Sequence, residues 1–139
     1  MKVLIVDDDP TTRLVLERVL SHFGHISSCA SGKNAVLEYR RALQTGENYD
    51  LVCMDLVMPG MGGLEAVQRI RQDEESYSRS RASKIVVITG LEDMNTIENA
   101  FTCLCDAYIV KPVEAKVLLE LLECLFDAIP SGVSVEGVC

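Results

Sequence analysis

Three aspartates, a threonine and a lysine carry the chemistry open to this sequence. Asp7 and Asp8 follow the apolar run Val3-Leu4-Ile5-Val6, and Asp55 follows Leu51-Val52-Cys53-Met54. Thr89 closes Ile85-Val86-Val87-Ile88, and Lys111 follows Tyr108-Ile109-Val110. Taken singly, each is an ordinary turn former, β-branched strand residue or loop lysine. Taken together, they stand at the carboxyl ends of four short β-type runs, the edge where open α/β sheets bind ligands. Carboxylates brought together there repel by roughly 3 kcal/mol per pair at about 5 Å and an effective dielectric near 20, so a cation must sit among them. Oxygen donors without a histidine suit Mg²⁺, which keeps several waters and takes one or two carboxylates with a phosphate oxygen. Lys111 adds a compact charge suited to phosphoryl oxygen, and the set as a whole suits phosphoryl transfer.

The elements that must position these residues follow from the apolar period, which switches repeatedly between short β-rich runs and helical stripes. Strands are predicted over Val3 to Val6, Ile26 to Ala30, Asp50 to Met54, Lys84 to Thr89 and Ala107 to Val110. Asp9 suits a helix N-cap with Pro10 at the first helical position, and Leu14, Leu16, Val19, Leu20 and Phe23 carry that helix to Gly24. Ser31 caps a second helix through Ala35, Val36, Tyr39 and Leu43, stopped by Gly46. Pro59 to Gly63 reads as a loop and Leu64 to Arg71 as a third helix, followed by a solvated charged stretch from Gln72 to Ser83. A fourth helix is predicted over Met94 to Leu104 and a fifth over Val113 to Ile129. This is an α/β protein of (βα)5 type, a doubly wound parallel sheet in one domain over 1–129, with a loose tail over 130–139.

At 139 residues the chain has room for one real core. Its 48% hydrophobic content is high, yet the longest apolar runs fall far short of the roughly 20 residues of a membrane span. Met1-Lys2 leads straight into the first strand without a cleavage site, which predicts a cytoplasmic protein. A formal net charge of −8 opposes direct binding to nucleic acid. The six cysteines are irregularly spaced among apolar neighbours and read as free thiols acting as small hydrophobes.

Val6-Asp7-Asp8, Met54-Asp55 with Met58-Pro59 and Gly63, Thr89-Gly90, and Tyr108-Ile109-Val110-Lys111-Pro112 together resemble the response regulator receiver family of two-component signalling. The resemblance covers residues 2 to about 129 and implies a flavodoxin-like sheet with strand order 2-1-3-4-5. It further implies that Asp55 takes a phosphoryl group from a phosphohistidine on a sensor histidine kinase or histidine phosphotransfer protein. Mg²⁺ would be held by Asp7, Asp8, Asp55 and the backbone carbonyl of Val57. Lys111 and Thr89 would contact the phosphoryl group, beside which Gly90 leaves room. Thr89 and Tyr108 resemble the family's switch pair. The face built by the fourth helix, fifth strand and fifth helix would then meet a downstream protein or form a homodimer. The apolar excess of the last helix, from Val113 to Phe126, also predicts such a contact surface.

Three positions depart from the family pattern. Gly62 stands where many relatives carry an acid, which predicts a looser loop, and Leu104 stands where a glycine usually ends the fourth helix. Val57 and Leu91, the positions flanking the phosphoryl group, are both apolar and predict slow attack by water. A haloacid-dehalogenase-type phosphatase also uses an aspartate, Mg²⁺ and a lysine, but its acid/base aspartate would fall at position 57, which is valine. Gly60-Met61-Gly62-Gly63 lacks the spacing of a dinucleotide fingerprint or P-loop.

Overall fold

In a computed structural model of the protein, the described residues are 1–77, 82–90 and 105–126. Five parallel strands form one sheet in the order β2-β1-β3-β4-β5, with β1 Lys2–Val6, β2 His25–Cys29, β3 Leu51–Asp55, β4 Lys84–Thr89 and β5 Ala107–Val110. The described helices are α1 Pro10–Leu20, α2 Gly32–Thr45, α3 Gly63–Ser76 and α4 Ala115–Phe126. The last of these is the fifth predicted helix. The fourth, Met94 to Leu104, and the tail over 130–139 lie outside the described residues. Strand bounds agree with the sequence reading at β4 and β5 and differ by one residue elsewhere.

The strands are unbroken apolar runs because both faces of the sheet are covered. Successive residues point to opposite sides. Leu4, Val6, Val52 and Met54 pack with Tyr39 of α2 and Ala66 and Ile70 of α3. Val3, Ile5, Leu51 and Cys53 pack with Leu16 and Leu20 of α1 and Leu118, Leu121 and Leu122 of α4. Register then levels the carboxyl ends: Val6 pairs with Met54, Asp55 with Ile88, and Thr89 with Val110. Asp7, Asp55, Thr89 and Lys111 are therefore delivered to one rim.

Helix ends follow local chemistry. Asp9 caps α1 by accepting the Thr11 N–H at 3.1 Å, and Ser31 caps α2 by accepting the Asn34 N–H at 3.2 Å. The first helix ends earlier than expected, at Leu20, and a 3-10 turn over Ser21–Phe23 leads to Gly24 at φ +153°. A Cβ on Gly24 would fall 1.8 Å from the Met1 carbonyl oxygen, so only glycine lets the chain start β2 there.

Two expectations are corrected. The stretch from Gln72, read as solvated, continues α3 to Ser76, and its Glu74 is buried, as is Ser83 just before β4. Glu74 follows Ile70 by four residues and so extends the buried face of α3. Its charge is met by Arg71, whose Nη1 donates to Glu74 Oε1 at 2.8 Å. Residues 78–81 of the same stretch lie outside the described residues. Among the described cysteines, Cys29, Cys53 and Cys105 are free, but Cys124 is exposed and disulfide-bonded, so it is neither a free thiol nor core filler.

The apolar excess of α4 is turned largely inward. Leu118, Leu121 and Leu122 are buried, and Val113, Leu125 and Phe126 pack against them, while Val117 is exposed.

Candidate functional site

Asp7, Asp8 and Asp55 each offer a carboxylate oxygen, and these oxygens lie within 4.8 Å of one another. Asp7 is fully buried, Asp55 is 3% exposed and Asp8 is exposed. Lys111 reaches in from the end of β5, its Nζ 3.4 Å from Asp55 Oδ1 and 3.6 Å from Asp7 Oδ2. Glycine at position 63 permits α3 to begin against the end of β3, since a Cβ there would lie 2.1 Å from the Asp55 carbonyl oxygen. Gly62 precedes it as the N-cap and offers no side-chain hydrogen bond.

The rim is electrostatically strained. Burial first, and then the neighbouring charge of Asp7, push the pKa of Asp55 up to about 7 against the opposing pull of Lys111. Burial works against the Lys111 charge, but Asp55 and Asp7 outweigh it and raise the lysine's pKa. Asp7 Oδ1 accepts the Asp9 N–H at 2.8 Å, whereas Oδ2 is buried without a hydrogen bond. A buried carboxylate oxygen that has the Lys111 ion pair but no hydrogen bond among the described residues, set among crowded hard donors, fits a divalent cation such as Mg²⁺.

The remaining expected residues are arranged around this centre. Val57 is 61% exposed beside Asp55, and its N–H donates to Asp55 Oδ1 at 3.4 Å. Thr89 is buried with its hydroxyl donating to the Gly90 carbonyl at 3.1 Å. Tyr108 is half-buried and packs against the cluster on the α2 and α3 side of the sheet. Leu91 lies outside the described residues. Sequence reasoning did not find Arg13, whose Nη1 donates to the Asp7 carbonyl at 2.7 Å. The available signal was its place in the first turns of α1, five residues after Asp8.

The family of response regulator receiver domains matches residues 3–123 of the chain. The chain belongs to this family. Its receiver domain is 30% identical to the chemotaxis protein CheY of Pseudomonas aeruginosa, over 93% of this chain and 98% of that protein. It is 34% identical to the sensory/regulatory protein RpfC of Xanthomonas campestris over 88% of this chain. The receiver domain spans only 16% of RpfC and 12% of histidine kinase 2 of Arabidopsis thaliana. Among solved structures, a CheX-CheY-BeF3-Mg complex from Borrelia burgdorferi superposes with a TM-score of 0.78 at 25% identity, covering 91% of this chain and 89% of that one. The receiver domain of the histidine kinase CKI1 from Arabidopsis thaliana, complexed with Mg²⁺ and BeF₃⁻, gives 0.69 at 28% identity, covering 84% and 86%. The receiver domain is thus a phosphoacceptor of two-component signalling with a flavodoxin-like fold. None of its described helices is long and apolar enough to cross a membrane.

Proposed function

We propose that Asp55 is the phosphoacceptor and that the rim around it assembles the phosphoryl-transfer site. The observation that carries this reading is the buried Asp55 carboxylate, level with Asp7 and 3.4 Å from the Lys111 ammonium. An Asp55 oxygen attacks the phosphorus of a phosphohistidine on a sensor histidine kinase or a histidine phosphotransfer protein. The phosphorus–nitrogen bond breaks, its electron pair leaves with the imidazole, and an acyl phosphate forms on Asp55. Asp7, Asp8, Asp55 and the Val57 carbonyl would hold Mg²⁺. Bound there, the ion neutralises the crowded carboxylates and offsets charge on the phosphoryl oxygens. Lys111 binds a phosphoryl oxygen as a fixed point charge and favours the ionised, nucleophilic form of Asp55. The Thr89 hydroxyl leaves the Gly90 carbonyl to hydrogen-bond the phosphoryl group, and Tyr108 turns inward behind it. Among relatives, CheY and CKI1 structures that hold Mg²⁺ and BeF₃⁻ support the same arrangement here.

In this reading the receiver domain extends over 1–129, the tail over 130–139 follows it, and the protein works in the cytoplasm. It turns over no free substrate and catalyses only its own phosphorylation and dephosphorylation. Its output is a protein contact, or a homodimer, through the face made by residues 94–104, β5 and α4. The test is incubation with acetyl phosphate or phosphoramidate and Mg²⁺, followed by intact mass. A phosphoryl adduct that requires Mg²⁺ and is absent from Asp55→Asn is expected. An adduct that persists in Asp55→Asn would refute the assignment.

A further inference from the structure

We propose that Arg13 is a positioning residue that sets the geometry of the Asp7–Asp8 pair for a divalent cation by holding the Asp7 carbonyl. The inference rests on the reading of Asp7 and Asp8 as metal-holding residues. Asp7 is anchored on three sides. Its N–H donates to the Cys29 carbonyl at 3.1 Å, its Oδ1 accepts the Asp9 N–H at 2.8 Å, and its carbonyl accepts Arg13 Nη1 at 2.7 Å. That carbonyl precedes the helix and takes no helical N–H, because the Thr11 N–H four residues on is held by Asp9 Oδ1 at 3.1 Å. Arg13 therefore folds back over the first turn of α1, and its guanidinium satisfies the peptide that joins Asp7 to Asp8.

The orientation of that peptide decides where the Asp8 side chain leaves the backbone. Asp8 is exposed, and among the described residues no side-chain hydrogen bond or ion pair holds its carboxylate. The Arg13 contact with its preceding peptide is thus the hold nearest to it that the structure shows. Arg13 carries two opposing influences on a metal ion at this rim. Its charge repels a cation, while its short, charge-assisted bond preorganises the ligands. Arg13 makes no ion pair with Asp7, Asp8 or Asp55 among the described residues, since its Nη1 points at a backbone carbonyl. The geometry therefore assigns the larger influence to positioning.

The two influences predict opposite signs when the guanidinium is removed, which makes calorimetric titration decisive. Mg²⁺ alone, without a phosphodonor, is titrated into the metal-free wild type, Arg13→Met, Arg13→Lys and Asp8→Asn. Affinity is expected to fall by about tenfold in Arg13→Met, the lower end for loss of a residue that orients a metal ligand. In Arg13→Lys, which keeps the charge but not the planar fork, the fall is expected to be about threefold. At saturating Mg²⁺, both Arg13 variants should accept phosphoryl from acetyl phosphate within about twofold of the wild-type rate, because Arg13 orients a ligand without meeting the phosphoryl group. Unchanged or tighter Mg²⁺ binding in Arg13→Met overturns the proposal, as does a rate defect that saturating Mg²⁺ does not relieve. Should Arg13→Met fail to fold by circular dichroism, wild-type affinity in Arg13→Lys overturns it. If the wild type binds no Mg²⁺, the metal-holding reading falls and takes this inference with it. If the wild type binds Mg²⁺, Asp8→Asn does not and Arg13→Met matches the wild type, only the role of Arg13 falls.

Discussion

Two polar clusters are buried at opposite ends of the same strands, and the protein treats them differently. At the amino ends, Glu74 Oε2 accepts the Tyr39 hydroxyl and the Ser83 N–H, the latter at 2.9 Å, while Oε1 accepts Arg71 Nη1 at 2.8 Å. Arg71 also donates to the Ser83 carbonyl at 2.8 Å and to Asp106 at 3.0 Å, and Asp106 accepts the Ile85 N–H at 2.7 Å. The Ser83 hydroxyl donates to the Tyr49 carbonyl. With Lys84 Nζ also 4.0 Å from Asp106 Oδ1, two cations meet two carboxylates, and donors meet acceptors, within the chain. At the carboxyl ends, among the described residues, Asp7 Oδ2 is left without a hydrogen bond while three carboxylates crowd together beside a single lysine. A satisfied buried network rigidifies a fold, whereas an unsatisfied one stores affinity for what is missing. The amino-end cluster therefore holds α2, α3 and β4 together, and the carboxyl-end cluster is completed by a cation and a phosphoryl group.

The strongest way to break this contrast is to remove the centre of the satisfied cluster. Glu74→Ala leaves the Arg71 guanidinium, only 12% exposed, without its nearest counter-charge. A loss of about 3 kcal/mol is expected, the lower end for a broken buried pair because Asp106 still faces Arg71 at 3.0 Å, measured by urea denaturation. Glu74→Gln keeps the shape and should lose less, about 1–3 kcal/mol. A loss below about 1 kcal/mol for Glu74→Ala would show that this end is not the stabilising one. The opposite sign is expected at the other rim. Asp55→Asn removes one of the like charges and should stabilise the metal-free protein at pH 8 by about 2 kcal/mol, less than the roughly 3 kcal/mol of an unrelieved pair because the Lys111 contact is lost too. The same substitution should erase any rise in melting temperature on adding Mg²⁺.

These two ends were not equally legible in the sequence. The carboxyl rim could be read because its residues directly follow apolar runs whose parallel pairing is dictated by burial on both faces. Asp7, Asp55, Thr89 and Lys111 needed only the strands to be found. The amino-end cluster was hidden, since Glu74 and Ser83 sit in a run of charged and serine residues that has the composition of a solvated loop. Its logic is tertiary: Arg71 is paired with Asp106, which lies 35 residues away in sequence, and Ser83 reaches Tyr49, 34 residues away. The spacing Ala66, Ile70, Glu74 was the one local sign that α3 continued. The early end of α1 was also invisible, because it depends on how closely Gly24 approaches Met1. Arg13 escaped notice for a similar reason, since its partner is a backbone carbonyl that carries no side-chain signature.

The smallest expected effect separates the two clusters by pH. In the metal-free protein Asp55 titrates near 7 instead of its ordinary 3.8, mainly through burial and then through Asp7. Its pKa is raised on folding, so the protonated form favours the folded state. The stability it contributes is complete below the unfolded value and is lost as pH rises through about 7. Between pH 6 and 8 a single such group shifts stability by up to about 1.4 kcal/mol, and solvent reaching the rim reduces this to about 1 kcal/mol. Metal-free wild type should therefore melt at lower temperature at pH 8 than at pH 6, while Asp55→Asn should lose this pH dependence. Mg²⁺ binding should show the linked behaviour, weakening as pH falls below 7 because the ion must displace the Asp55 proton. A wild-type melting temperature that rises from pH 6 to pH 8 without metal would mean that Asp55 is ionised throughout. In that case Lys111 alone would balance the rim, and the contrast between its two ends would vanish.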